Sequence, residues 1–408
     1  MKILFPYLAR WHSANRSRYH QLVNQLCHQG HQVFVLKAPP MGLDDISSTD
    51  LSNHSEELPP GLTLSELYAP RPLRAFWKVW VPRTKLLKKG LLSVSSVSQV
   101  RRFIEKEKID VLMTYNLPQF PLLNKVECRT HFDLADDLVA MLAGEHDVLA
   151  SIGAVAAARA AQARMLEKAT TVTVASSVLG DQMKREVLLL PNGADPTELD
   201  QADGSVWRAQ HSGPTVGFVG AFEYWVNFDL VLQLAQRMRH VTFLLVGGGR
   251  RWKVIKQKVE QLRLTNVVLT GAVPYHEAMN YVAGMDVCLL PFTHDAVSDG
   301  SCPLKLFEYA ALRKPIVSTG TTEVMRLGQG WVAFADDAVS YAAAIDHYLS
   351  NPKAAEYSGE TGRALVERTY NWPHLAQQFA DLLLSGAVPS FDYTSEPTPV
   401  FETINSRA

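Results

Sequence analysis

The sequence predicts an α/β protein made of two successive doubly wound units. Three observations carry that expectation. Short, continuous apolar runs such as 2–7, 109–115 and 285–292 have the character of buried parallel strands. Amphipathic helical stretches alternate with them, as a doubly wound sheet requires. The alternation restarts at Thr215, behind a polar, Gly-containing linker at 196–214. Composition agrees. The chain has 408 residues, enough for about two domains, with 47% apolar and 20% charged residues. Net charge is −1, so no global field for nucleic acid or membrane is implied. The four cysteines are far apart and form no CxxC pair, which argues against structural zinc and fits a reducing compartment. No apolar run reaches the ~18–20 residues of a membrane span, and the N-terminal apolar run is too short for a signal peptide. The expected location is the cytoplasm.

The first unit opens with a strand at 2–7, a polar loop at 9–16, a helix at 17–29 ending at Gly30, and a strand at 31–37. It lacks GxGxxG, which disfavours a nicotinamide or flavin dinucleotide. Residues 38–65 look like a long loop. Residues 67–104 then contain no acidic residue, while Trp77, Trp80, Arg83, Lys85, Lys88 and Lys89 lie among leucines. Aromatic and basic residues on an amphipathic segment suit an anionic membrane surface or a phosphorylated lipid. The same pattern suits a basic helix packing its Trp and Leu side chains on the domain, or, less well, single-stranded nucleic acid.

After the strand at 109–115, the segment HFDLADDL brings Asp133, Asp136 and Asp137 to a strand's end, where α/β domains place chemistry. Asp136 and Asp137 suit a general base or acceptors for sugar hydroxyls. Either is also a good helix cap. A helix at 150–168, a strand at 170–176, a helix around 179–185 and an Asn-Gly turn complete this unit.

In the second unit the strand 215–219 runs into a turn at Gly220, and a helix at 228–238 follows, with Asn227 as a candidate cap. Another strand ends in Gly247, Gly248, Gly249 and Arg250, which allows close approach of a ligand, with Arg250 available to a phosphate. A strand around 266–273, a helix from Pro274 to Gly284 and a strand at 285–292 lead to Asp299–Thr319, DGSCPLKLFEYAALRKPIVST. Here a small polar loop precedes a helix at 304–312, with Pro303 expected at its first position. Such a helix start offers free N–H groups and partial positive charge to an anion. Lys305 in the first turn opposes the dipole unless it faces a phosphate. Glu308 lies on the same face and suits ribose hydroxyls. Together they suggest a nucleotide diphosphate, although a surface Lys/Glu pair has the same spacing. A strand at 330–334, helices at 338–349 and 354–369 and a last amphipathic helix at 372–384 follow. Residues 387–408 have the composition of a disordered tail.

These residues resemble GT-B-fold glycosyltransferases, the C-terminal half being similar to the large retaining family 4 (group 1). The carrying motifs are LLVGGG, LTGAVPYHEAMNYVAGMDVCLLPF and PLKLFEYAALRKPIVST. HFDLADDL resembles the acidic motif of related bacterial polysaccharide and teichuronic-type transferases. The resemblance implies two Rossmann-like domains facing a cleft. Residues 1–200 would form the acceptor domain and 201–371 the donor domain, with helix 372–386 crossing back. It implies donor-nucleotide contacts from Gly220, Arg250, Val273, Tyr275, Ser301, Cys302, Lys305 and Glu308. Sugar contacts would come from Asp299 and Gly300, and catalytic groups from Asp136, Asp137 and Lys305. Two departures stand out. Gly300 sits where family 4 usually has its first glutamate, and GAFEYWVNFD lacks the usual Arg and Lys. The lysine three residues before Glu308 is also similar to the inverting, xanthan-type glucuronosyltransferase.

The expected activity is metal-independent transfer from a nucleotide-diphosphate sugar, UDP- favoured over GDP-, to a glycan or lipid-linked acceptor in cell-surface polysaccharide or glycolipid synthesis. Retention is favoured over inversion, with no cofactor, no metal and no nucleic acid. The basic segment would hold the acceptor or the inner face of the membrane. The alternatives are a non-catalytic GT-B subunit that binds sugar nucleotides and a GT-B epimerase.

Overall fold

The computed structural model describes residues 1–9, 11, 16–39, 58–78, 85–124, 126–144 and 153–387. Two parallel sheets form its frame. The first holds β1 (Lys2–Tyr7), β2 (Gln32–Lys37), β3 (Leu62–Glu66), β4 (Val111–Thr114), β5 (Arg129–Leu134), β6 (Thr171–Val174) and β7 (Leu188–Leu189), in the order β3-β2-β1-β4-β5-β6-β7. The second holds β8 (Thr215–Val219), β9 (Thr242–Val246), β10 (Val267–Gly271), β11 (Val287–Leu290), β12 (Ile316–Ser318) and β13 (Val332–Phe334), in the order β10-β9-β8-β11-β12-β13. Every strand pairing within both sheets is parallel. The inner strands are buried on both faces, which is why β4, β6, β8 and β11 read as unbroken apolar or Thr/Val runs.

In each sheet the order reverses beside its first strand, between β1 and β4 and between β8 and β11. Such switch points open a crevice beyond the carboxyl ends of the strands. Helix Trp372–Ser385 follows the second sheet yet packs on the first. Its Trp372, Leu375, Phe379 and Leu383 share a core with Ile3, Phe5, Leu22 and Val35. One side of this helix therefore belongs to the N-terminal domain.

Several local expectations need correction. β3 lies in what reads as loop, because its LTLSE pattern is short and half polar. The helix expected around 179–185 is shorter and earlier, Ser177–Asp181, capped by Ser176. Pro303 is the N-cap of its helix rather than the first helical residue, with φ −74° and ψ 128°. Thr322–Gly328 is a helix that the spacing of the sequence does not announce. The expected tail at 388–408 lies outside the described residues.

The domains meet through polar contacts close to the cleft. Arg18 is 3% exposed and donates to both carboxylate oxygens of Asp133 (3.0 and 2.9 Å), to Leu190 O (3.1 Å) and to Asn192 Oδ1 (2.9 Å). Asn192 in turn donates from its backbone N–H to Cys302 Sγ (3.4 Å) and from its side chain to Cys302 O. Ser176 Oγ donates to Gly300 O (2.7 Å), and Ser177 Oγ to the buried Glu323 (2.6 Å). Nearby, His131 is buried between Thr171 and Thr173, and burial lowers its pKa to about 4, so it is neutral at physiological pH.

Candidate functional site

The cleft is built at the carboxyl ends of the strands. From the C-terminal domain come Val219 and Gly220 after β8, Gly247 and Gly248 after β9, and Ala272, Val273 and Tyr275 after β10. Ser298, Ser301, Pro303 and Lys305 come from the segment after β11. From the N-terminal domain come Arg16, after β1, and Asp136 and Met141, after β5. Gly220 and Lys305 touch both compartments of the cleft and so mark their boundary. Gly247 needs to be glycine: its φ is +131°, and a Cβ there would lie 2.0 Å from Gly220 O.

Helix Leu304–Ala311 is fixed by its buried face. Leu306, Phe307, Tyr309, Ala310 and Ala311 are each wholly buried. Tyr309 Oη accepts from Val219 N at 2.8 Å, tying the helix to the end of β8 beside Gly220. The same face buries Glu308, 3% exposed. Lys305 Nζ lies 2.6 Å from Glu308 Oε2 as an ion pair, and among the described residues that oxygen accepts no hydrogen bond. Ser298 Oγ is a buried polar atom with no hydrogen-bond partner among the described residues, and Ser298 lines the cleft. Lys305 Nζ also stands 5.9 Å from the centroid of the Tyr275 ring. Burial, then Glu308 and Glu198, push the Tyr275 phenol well above its usual pKa.

Of the expected residues, Gly220, Val273, Tyr275, Ser301 and Lys305 line the cleft, with Glu308 against Lys305. Asp136 is exposed on its floor. The surrounding walls strip hydration from its carboxylate and raise its pKa, an effect Arg18 opposes. Asp137 is instead spent on structure: Oδ1 accepts from Val139 N (3.1 Å) and Ala140 N (2.8 Å), starting helix Leu138–Gly144. Asp299 turns to Thr322, accepting from its N–H (3.1 Å) and its hydroxyl (3.2 Å). Gly300 is buried, with its carbonyl on Ser176. Cys302 is 3% exposed, and burial pushes its thiol up to about 12, so it joins the domains rather than facing the cleft. Arg250 pairs with Glu223 at 2.5 Å and stands over the Tyr224 ring.

The basic segment forms helices Arg71–Lys78 and Lys85–Glu107. Trp80 and Arg83 lie outside the described residues, as do the side chains of Trp77 and Lys85. Lys88 cannot face a membrane: it is 1% exposed, with Nζ 5.4 Å from the Phe76 ring centroid. Lys89 is half-buried. The exposed face of the longer helix begins apolar, with Leu87, Leu91 and Val94, and continues polar with Ser98, Arg102 and Glu105. No helix among the described residues is long and apolar enough to cross a membrane.

The sequence reading missed Arg16, Ser298, Trp225 and Met141. Arg16 sits in a polar loop, and only the facing of the two domains across the cleft brings that loop to the end of β10. The acidic residue that the reading grouped with Asp136, Asp133, is wholly buried under Arg18.

Residues 213–351 match the family model described as glycosyl transferases group 1. A protein of Bacillus subtilis (strain 168), provisionally named as the teichuronic acid biosynthesis glycosyltransferase TuaH, is 25% identical over 281 residues, which span 65% of this chain and 69% of that one. O-antigen chain mannosyltransferase C of Escherichia coli is 23% identical over 304 residues, 70% of this chain and 78% of its own. The sucrose-phosphate synthase structure from Thermosynechococcus elongatus superposes with a TM-score of 0.71 at 18% identity, covering 94% of this chain and 98% of that one. Anabaena Alr3699/HepE in complex with UDP-glucose superposes with a TM-score of 0.68 at 15% identity, covering 94% and 100%. With two parallel Rossmann-like domains facing one cleft, the chain has the GT-B fold, and residues 213–351 of its C-terminal domain are similar to the group 1 glycosyl transferases.

Proposed function

We propose that the chain transfers a sugar from a nucleoside-diphosphate sugar, UDP- in preference to GDP-, to a glycan or lipid-linked acceptor in the synthesis of a cell-surface polysaccharide. The observation that carries this reading is the buried carboxylate of Glu308 paired with Lys305 at a helix start on the cleft. Ribose hydroxyls would satisfy the carboxylate. The diphosphate would lie against Lys305 and the free N–H groups of the helix start. The acceptor class follows the polysaccharide products in the names of TuaH and the mannosyltransferase. The base follows the UDP-glucose bound by HepE.

The leaving diphosphate gains negative charge as the glycosidic bond breaks. Lys305 and the helix N-terminus stabilise that charge without a metal, because both are already in place before the reaction. Asp136 faces the donor domain across the cleft floor. In an inverting reaction it takes the acceptor's proton, a task suited to a carboxylate whose pKa is raised. In a retaining reaction, the favoured outcome, it holds sugar hydroxyls. The apolar stripe Leu87, Leu91 and Val94, in a segment rich in Lys and Arg, fits the anionic inner face of the membrane where a lipid-linked acceptor resides.

The test is transfer from a panel of UDP-, GDP-, ADP- and dTDP-sugars to lipid-linked and free glycan acceptors. The reading expects a glycosylated product from one donor in the presence of EDTA. Nucleotide binding with no transfer from any donor would favour the non-catalytic subunit, and interconversion of the free sugar nucleotide the epimerase.

A further inference from the structure

We infer that Arg16, reaching in from the N-terminal domain, supplies the second cation of the donor diphosphate site. This rests on the donor reading above and adds a residue to it. A sugar nucleotide brings two phosphate charges to the cleft. Lys305 brings one positive charge, already shared with Glu308 at 2.6 Å. The turn after β8, residues 220–227, contains no Lys or Arg, and Arg250 is turned onto Glu223. Arg16 is the cleft-lining cation from the opposite wall, beside Gly247 and Gly248. Its guanidinium carbon lies 5.1 Å from the Tyr275 ring centroid, and Lys305 Nζ lies 5.9 Å from the same centroid. Both cations therefore stand over the same ring, in the compartment that Arg16, Tyr275 and Lys305 line together.

Arg16 is held in place by an ion pair with Glu198. Its side chain is only 18% exposed, so the charge is poorly screened. A guanidinium has five N–H donors, and one carboxylate leaves several for a phosphate. Glu198 thus parks Arg16 at the edge of the pocket, where a diphosphate can engage it without a large movement. Since Lys305 and Arg16 belong to different domains, the diphosphate binds fully only when the domains are closed. Donor binding then favours the closed arrangement that also brings Asp136 to the sugar.

The experiment is calorimetric titration of the full chain with UDP, GDP, ADP and dTDP, and competition with the matching nucleosides. Wild type, Arg16→Ala and Arg16→Lys are compared. Arg16→Ala should weaken the preferred diphosphate ~10–100-fold, the scale of one charge-assisted phosphate contact. It should leave the nucleoside within about threefold, and Arg16→Lys should recover part of the loss. An unchanged diphosphate affinity in Arg16→Ala overturns the inference. So does an equal loss for nucleoside and diphosphate, which would make Arg16 a support for Tyr275 only. A wild-type chain that binds none of the four diphosphates overturns the donor reading itself.

Discussion

Replacing Lys305 with alanine should lower sugar transfer by ~100- to 1,000-fold, the loss seen when one preorganised donor to a developing anion is removed. The size follows from where Lys305 stands. It occupies the first turn of the donor helix and touches both compartments of the cleft, so its charge acts where the leaving diphosphate must lie. The substitution also strands Glu308, which is buried and would lose its counter-ion. That loss lowers the melting temperature as well as the rate. The variant Lys305→Ala/Glu308→Leu separates the two effects. With both charges gone, the melting temperature should recover while transfer falls to or below that of Lys305→Ala, since the ribose contact is lost as well. Normal turnover in the single variant, with circular dichroism showing an intact fold, would remove Lys305 from the chemistry.

Arg18→Ala should cost ~3–5 kcal/mol of stability, the usual consequence of leaving one member of a buried ion pair alone. Asp133 is wholly buried, and Thr173 Oγ1 at 2.6 Å would be its one remaining partner among the contacts described. Leu190 O and Asn192 Oδ1 would lose their donor too. Burial opposes the Arg18 charge, but the neighbouring Asp133 helps to offset this, and the Arg18 pKa is raised. The double variant Arg18→Met/Asp133→Leu should be far less destabilised than the two single losses summed, because no buried charge remains. Chemical denaturation of the four proteins measures this. Additive losses would show that the pair is not the unit that matters. Asn192 links this network to Cys302, so the single variants should also weaken the seating of the donor loop on the N-terminal domain.

What was legible in the sequence was what depends on local spacing. Central strands of both sheets read as apolar runs because helices cover both faces. Lys305 and Glu308 could be paired because three residues place them on one helical face. What was not legible depends on contacts between distant segments. Arg16 meets Tyr275 only because the two domains face each other across the cleft, and Arg18 meets Asp133 across 115 residues. Local spacing also allowed two answers for Asp136 and Asp137, and the structure divides them: one caps a helix while its neighbour faces the cleft. Lys88 was misread for a related reason. Helix rotation is set by the core, here by Leu92, Ser96 and Val100, and Lys88 falls one turn before Leu92 on that inward face. The charges of the segment were visible in the sequence, but not which way they point.

The most direct test of the donor site compares a nucleoside diphosphate with its 2′,3′-dideoxy counterpart, by calorimetry, on wild type and on Glu308→Leu. If the buried carboxylate of Glu308 receives the ribose hydroxyls, wild type should prefer the ribose form by at least ~10-fold, the value of a charged hydrogen bond left unmade. Glu308→Leu should bring the two forms to within about threefold. A wild-type chain that binds both forms equally, or Glu308→Leu retaining the full preference, would contradict the account.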